Sequence, residues 1–207
     1  MNGDTGAVPK KVKICGMKRS EDIDYANILH PDYVGFIIDF PKSNRSITAA
    51  QAYSLKKRLD PSIASVGVLV DERPEYAAEL LESGCIDTVQ LHGSEDNGYI
   101  SELKRMTRKK IWQAFQIKED DDILKANESA ADFVILDGGQ GSGHAFDWKF
   151  LKDIRRPFGL AGGLDIKTVP AALDTPAALL DVSGGVENEK GYKDFDKIKA
   201  FIEAVRR

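Results

Sequence analysis

Apolar positions fall into eight short runs, at residues 12–15, 33–38, 65–70, 88–91, 110–114, 133–136, 159–161 and 179–182. Each is rich in Val, Ile, Leu or an aromatic residue, as strands buried in a parallel sheet are. Longer amphipathic stretches separate them, at 20–29, 48–59, 74–82, 96–106, 120–127, 146–154, 165–173 and 194–205. Several of these carry helix-start signals. Ser20 is followed by acids, Pro74 suits a first helical turn, and Thr48 and Asp165 are candidate caps. Strands alternating with helices predict an α/β fold with parallel strands and right-handed crossovers. Eight such units in 207 residues predict a single-domain (β/α)8 barrel, a TIM barrel at the compact end of its range. An open doubly wound sheet is the alternative. Residues 1–11 are expected to form a flexible N-terminal extension and 12–207 the barrel.

Composition narrows the partners. A net charge of -4 argues against nucleic acid, whose phosphates favour a basic surface. No apolar run approaches the roughly 20 residues of a membrane-spanning helix, and the first nine residues lack the apolar centre of a secretory signal. The two cysteines, Cys15 and Cys85, read as reduced thiols rather than a disulfide framework, so the expected location is cytoplasmic. No His, Cys or acid spacing suggests a metal site.

In a barrel the chemistry sits where strands run into the following helices. Glycine pairs end the last two strands, at Gly162-Gly163 and Ser183-Gly184-Gly185. Glycine lets backbone amides approach an anion, so these positions are candidate phosphate ligands; tight turns would also use glycine. Cys15 ends the first strand and is a candidate reactive thiol, or else a buried structural cysteine. Asp137 ends the sixth strand and is a candidate general acid, or else a turn or cap aspartate. Glycines at 138, 139, 141 and 143 after it read as a hinged lid. Arg45 offers a planar fork for a carboxylate, or a solvated loop charge. His92 is a secondary candidate, read first as a hydrogen-bond partner. Strand parity puts Lys13 on the inward face with Cys15, and Asp181 with Ser183. Because the first and eighth strands are neighbours in a closed barrel, Lys13 and Asp181 are expected to pair beneath the site.

The ordered motifs are Val12-Lys13-Ile14-Cys15-Gly16, Gly35-Phe36, Pro41-Lys42-Ser43-Asn44-Arg45, Val66-Gly67-Val68, Val89-Gln90-Leu91-His92-Gly93 and Leu136-Asp137. They continue with Gly141-Ser142-Gly143, Phe146-Asp147-Trp148, Ala161-Gly162-Gly163-Leu164 and Asp181-Val182-Ser183-Gly184-Gly185-Val186-Glu187. Each is weakly specific alone. As a set in this order, covering nearly everything after residue 11, they resemble the phosphoribosylanthranilate isomerase family of tryptophan biosynthesis.

The resemblance implies an Amadori rearrangement of N-(5-phosphoribosyl)anthranilate to its ribulose form. It implies Asp137 as general acid at the ribose ring oxygen and Cys15 as general base at C2′. It places Arg45 near the anthranilate carboxylate and the glycines of the last two strand ends, with Ser183, at the phosphate. It implies no cofactor and no metal, and leaves both monomer and homodimer open. Many relatives carry Ser-Ser-Gly where this chain has Ser183-Gly184-Gly185, and the segment after Asp137 is short. Asp39 at the mouth is unexplained by the pattern. The competing readings are another phosphate-binding barrel isomerase or epimerase, and a non-catalytic barrel that binds a phosphorylated ligand.

Overall fold

The computed structural model describes residues 9–138 and 148–207. Its strands are β1 (Lys11–Cys15), β2 (Tyr33–Ile38), β3 (Ser46–Ile47), β4 (Ala64–Leu69), β5 (Thr88–Leu91), β6 (Lys110–Gln116), β7 (Phe133–Asp137), β8 (Phe158–Ala161) and β9 (Leu179–Val182). The sheet runs β1-β9-β8-β7-β6-β5-β4-β2, and β1 pairs with β2 to close the ring. All these pairings are parallel. The short β3, which the apolar pattern did not predict, pairs with the end of β2. The fold is thus the closed eight-stranded (β/α)8 barrel.

The helices are α1 (Ser20–Leu29), α2 (Ala49–Arg58), α3 (Pro74–Glu82), α4 (Asn97–Met106), α5 (Asp120–Glu128), α6 (Val169–Leu173) and α7 (Phe195–Val205). Thr48 caps α2, accepting from the Gln51 amide while Gln51 returns the bond, and Pro74 opens α3. Ser20 is the first residue of α1, but the capping carboxylate is that of Asp22, which accepts from the Lys18 and Arg19 amides. Two helix expectations are corrected. Between β7 and β8 the described residues hold a 3₁₀ helix, Trp148–Asp153, in place of the end of an α-helix. Asp165 does not cap the seventh helix. Its carboxylate closes a turn on the amides of Lys167 and Thr168, which delays α6 to Val169. Among the described residues, no helix is long and apolar enough to cross a membrane.

Two apolar layers follow from strand parity. Val12, Ile14, Val34 and Phe36 point outward and join the cluster that the helices cover. Inside the barrel, Val66, Trp112, Ala114, Ile135, Ala161 and Leu179 form a second cluster. Trp112 packs edge-on against Tyr33, with ring centroids 5.0 Å apart. Lys13 and Asp181 also point inward. They are register partners across β1 and β9, and Lys13 Nζ lies 2.7 Å from Asp181 Oδ2 with side-chain exposures of 0% and 6%. The expected interior ion pair is present.

The barrel begins at Lys11, one residue before the predicted boundary, and its amide donates to the Ala178 carbonyl. Lys10 is also anchored, with Nζ donating to the carbonyl of Ala177 at 2.8 Å. Residues 1–8 of the expected extension lie outside the described residues.

At the end of the barrel away from the strand C-termini, an aspartate precedes alternate strands. Asp32 Oδ2 accepts from the Val12 amide, Asp87 Oδ2 from Ser65, and Asp132 Oδ2 from Ile111. The Asp87 and Asp132 amides donate back to the Ser65 and Ile111 carbonyls. Each carboxylate thus adds one rung to the ladder of its strand pair. Burial pushes the Asp132 carboxyl up, but the Ile111 amide and Lys104 outweigh it and hold it below the usual range. Asp132→Ala is expected to lower unfolding free energy by about 1–2 kcal/mol, the range for a partly exposed charged hydrogen bond. Urea denaturation reads this, and an unchanged midpoint would mean that water replaces the rung.

Candidate active site

The strand C-termini bring the proposed residues to one mouth, because parallel strands of a closed barrel all end on the same side. Cys15 ends β1 and stays partly exposed. Gly16 follows in the left-handed region (φ +80°), and its amide donates to the Gly35 carbonyl. The sulfur lies over bare backbone. A Cβ built on Gly35 would sit 2.8 Å from Cys15 Sγ and 3.2 Å from Lys13 Nζ. Glycine at 35 is therefore a spatial requirement of the thiol and the ammonium, and a side chain there would displace one of them.

Burial pushes the Cys15 thiol up, Lys13 opposes this, Asp181 adds to it, Lys193 opposes it, and the net direction is upward. Burial also works against the Lys13 ammonium, but Asp181 and the Cys15 sulfur outweigh it, so the amine titrates above its ordinary range. Asp181 keeps one oxygen, Oδ1, without a hydrogen-bond partner among the described residues. Burial pushes the Asp181 carboxyl up, Lys13 opposes this, Asp137 adds to it and His92 opposes it, with the net direction upward.

Asp137 ends β7, and its carboxylate lies beside the loop after β8. A Cβ on Gly162 would come within 2.6 Å of Asp137 Oδ1 and 2.5 Å of the Gly138 amide nitrogen. His92, just after β5, places Nε2 3.7 Å from Asp137 Oδ2. That is beyond hydrogen-bond length but within ion-pair reach. Of the expected lid, residues 139–147 lie outside the described residues, among them Gly139, Gly141, Gly143 and the Phe146-Asp147 motif.

Arg45 arches over Gly16, with Cδ 2.6 Å from where a Cβ would stand. Its guanidinium already grips a carboxylate: Nε and Nη2 donate to the two oxygens of Glu187 at 2.6 and 2.7 Å. Glu187 also receives Lys193 Nζ at 2.7 Å, and that ammonium donates on to the Ser183 carbonyl at 3.0 Å. Ser183 spends its hydroxyl proton on the Cys15 carbonyl at 3.0 Å, tying the end of β9 to the end of β1.

The glycines divide by purpose. Gly162 and Gly163 adopt φ of +85° and +68°, which suits only glycine readily. Gly185 is pressed against the loop after β8, where a Cβ would meet the Leu164 carbonyl oxygen at 2.0 Å. Gly184 is more open, with Arg45 Nη2 3.6 Å from its Cβ position as the nearest group. Packing therefore accounts for Gly162 and Gly185, and Gly184 faces the cationic side of the mouth.

Asp39, unexplained by the sequence pattern, follows β2 at φ +51° and accepts the Tyr76 hydroxyl. Short polar residues tolerate that conformation. Two residues at the mouth escaped sequence reasoning as site components. Lys193 is 3% exposed, yet a lysine in Lys190-Gly191-Tyr192-Lys193 reads as a solvated loop charge. Glu187 was visible only within a motif, and no periodicity marks its double pairing.

Burial pushes the Glu187 carboxyl up, but Arg45 and Lys193 outweigh it and hold it below its usual range. The folded chain thus binds fewer protons here than the unfolded chain. This stabilisation is full above the ordinary glutamate value near ~4.3 and is lost as pH falls through the depressed folded value. Glu187→Gln is expected to be less stable than wild type by about 2 kcal/mol at neutral pH and to converge with it in acid. Thermal melts across pH measure the difference, and a gap that persists in acid would rule out this linkage.

Comparison with known proteins identifies the family. The sequence profile described as N-(5'phosphoribosyl)anthranilate (PRA) isomerase matches residues 12–204. The N-(5'-phosphoribosyl)anthranilate isomerase of Thermoanaerobacter pseudethanolicus is 44% identical over 205 residues, covering 95% of this chain and 98% of that protein. The crystal structure of phosphoribosyl anthranilate isomerase from Thermus thermophilus superimposes with a TM-score of 0.84 at 30% identity, covering 94% of this chain and 98% of that one. A phosphoribosyl anthranilate isomerase solved in complex with reduced 1-(o-carboxyphenylamino)-1-deoxyribulose 5-phosphate gives a TM-score of 0.80 at 30% identity, covering 95% and 98%. With a thiol, a carboxyl and an arginine gathered at one barrel mouth, and with matches that run almost end to end, this chain belongs to the N-(5'-phosphoribosyl)anthranilate isomerase family.

Proposed function

We propose that this chain isomerises N-(5-phosphoribosyl)anthranilate to 1-(2-carboxyphenylamino)-1-deoxyribulose 5-phosphate by acid–base catalysis between Asp137 and Cys15. The observation that carries this reading is that both groups stand at strand C-termini on one barrel mouth, Cys15 ending β1 and Asp137 ending β7. The relative solved with a reduced 1-(o-carboxyphenylamino)-1-deoxyribulose 5-phosphate supports a phosphorylated ligand of this type at the mouth.

Asp137 in its acid form protonates the ribose ring oxygen, and the ring opens to a Schiff base at C1′. Cys15 as thiolate removes the C2′ proton, leaving an enolamine that tautomerises to the ketone. The end of β7 holds the acid and the end of β1 the base, so each acts from a fixed backbone. His92, 3.7 Å from the Asp137 carboxylate, is suited to steady it. Arg45 meets the anthranilate carboxylate with the edge of its guanidinium that Glu187 leaves available. The amides of Gly163, Gly184 and Gly185 serve the phosphate, with Gly162 and Ser183 fixing the two turns.

Turnover is read from loss of substrate fluorescence, with substrate made in place from anthranilate and phosphoribosyl pyrophosphate. Cys15→Ala and Asp137→Asn are each expected to lose about 10²–10⁴-fold in kcat, or about 3–5 kcal/mol of barrier. Wild-type-like rates in either variant would remove that residue from its role, and an inactive wild type would sink the reaction itself. Gly35→Ala, which changes no polar group, is expected to lower kcat by at least about tenfold by displacing the sulfur. Unaltered turnover there would show that the mouth absorbs a methyl group.

A further inference from the structure

The reaction proposed above needs Cys15 as a thiolate, yet burial favours the neutral thiol. The groups that face the sulfur come from four places. Lys13 lies beneath it on the same face of β1, and Asp181 faces it from β9. Lys193 acts on it from the segment after Glu187, and Arg45 from the segment between β2 and β3. Lys193 and Arg45 are both committed to Glu187 at 2.7 Å or less. Lys13 is likewise paired, with Asp181 at 2.7 Å; what sets it apart is its place beside the sulfur. Its ammonium and the sulfur share the bare patch of backbone at Gly35, and the two distances there put them within about 6 Å of each other. Over that range opposite charges shift each other's ionisation. Lys13 is fully buried, so water screens little of this effect.

We propose that Lys13 is a positioning residue that eases ionisation of Cys15 for proton abstraction, and that Asp181 sets how much of the ammonium's charge reaches the sulfur. The inference rests on Cys15 being the base. It assigns the interior ion pair an electrostatic task in addition to a structural one. The two partners act on the sulfur with opposite sign: the ammonium stabilises the thiolate and the carboxylate opposes it.

The opposite signs supply the test. Thiolate ultraviolet absorbance is followed against pH in a Cys85→Ala background, with Cys15→Ala as the blank, and kcat/KM is measured over the same range. Lys13→Met is expected to move the thiolate midpoint up and Asp181→Asn to move it down, although both break the same ion pair. Lys13→Arg is expected to hold the wild-type midpoint. In Lys13→Met, kcat/KM at neutral pH should fall by about tenfold or more and recover as pH rises, because the base is ionised less often. If Lys13→Met does not fold, the double variant Lys13→Met/Asp181→Asn removes both charges without leaving a buried carboxylate unpaired. Its midpoint should then lie above that of Asp181→Asn. Midpoints that move together, or not at all, while Cys15→Ala is inactive would overturn the role of Lys13 and leave the base in place. Retained turnover in Cys15→Ala would overturn the base assignment on which the proposal stands.

Discussion

The ion pair between Lys13 and Asp181, 2.7 Å apart in the barrel interior, binds the closure of the barrel to the compensation of two buried charges. Removing two charges from water carries a large desolvation cost, and mutual attraction offsets it only when the geometry is close. That geometry exists only when β1 and β9 lie side by side in one register, and they are neighbours only because the sheet has closed. An open sheet would leave a lysine and an aspartate buried far apart. Closure of the ring and charge compensation therefore come as one event.

Above this pair the mouth is held by a relay of alternating charge. Arg45 meets Glu187, Glu187 meets Lys193, and Lys193 reaches the Ser183 carbonyl. Ser183 in turn is tied to the Cys15 backbone. The relay begins at a group suited to a substrate carboxylate and ends at the strand that carries the thiol. Glu187 is shared between two cations, so the cluster keeps net positive charge. An anionic ligand meets that charge without having to assemble it.

The barrel was legible in the sequence because eight apolar runs separated by amphipathic stretches repeat with little noise. The inward pairing of Lys13 with Asp181 was legible because strand parity and ring closure together determine it. What escaped has a physical reason in each case. The two-residue β3 is too short to carry a period. Asp165 and Thr168 both have side chains able to cap a helix, and the turn that Asp165 closes on the Thr168 amide decided where α6 starts. Lys193 looks like any loop lysine until the chain folds back and buries it. The glycines of the last two strand ends suggested an anion site, but Gly162 and Gly185 answer first to a crowded backbone. Gly35, inside a strand, matters for what its missing side chain leaves room for.

The aspartates at the other end of the barrel have a wider consequence. Asp32, Asp87 and Asp132 each stitch together one pair of adjacent strands, β1 with β2, β4 with β5 and β6 with β7. At the matching place in the last pair, β8 with β9, the chain has Ala178, and the main chain alone makes the bond to Phe158. The barrel is thus a set of four quarters, three reinforced by a side chain and one not. The unreinforced quarter is the one that ends in Gly162-Gly163 and Gly184-Gly185. The side-chain rungs thus lie in the three quarters away from those glycine loops, and the quarter that carries the loops is paired there through the main chain alone.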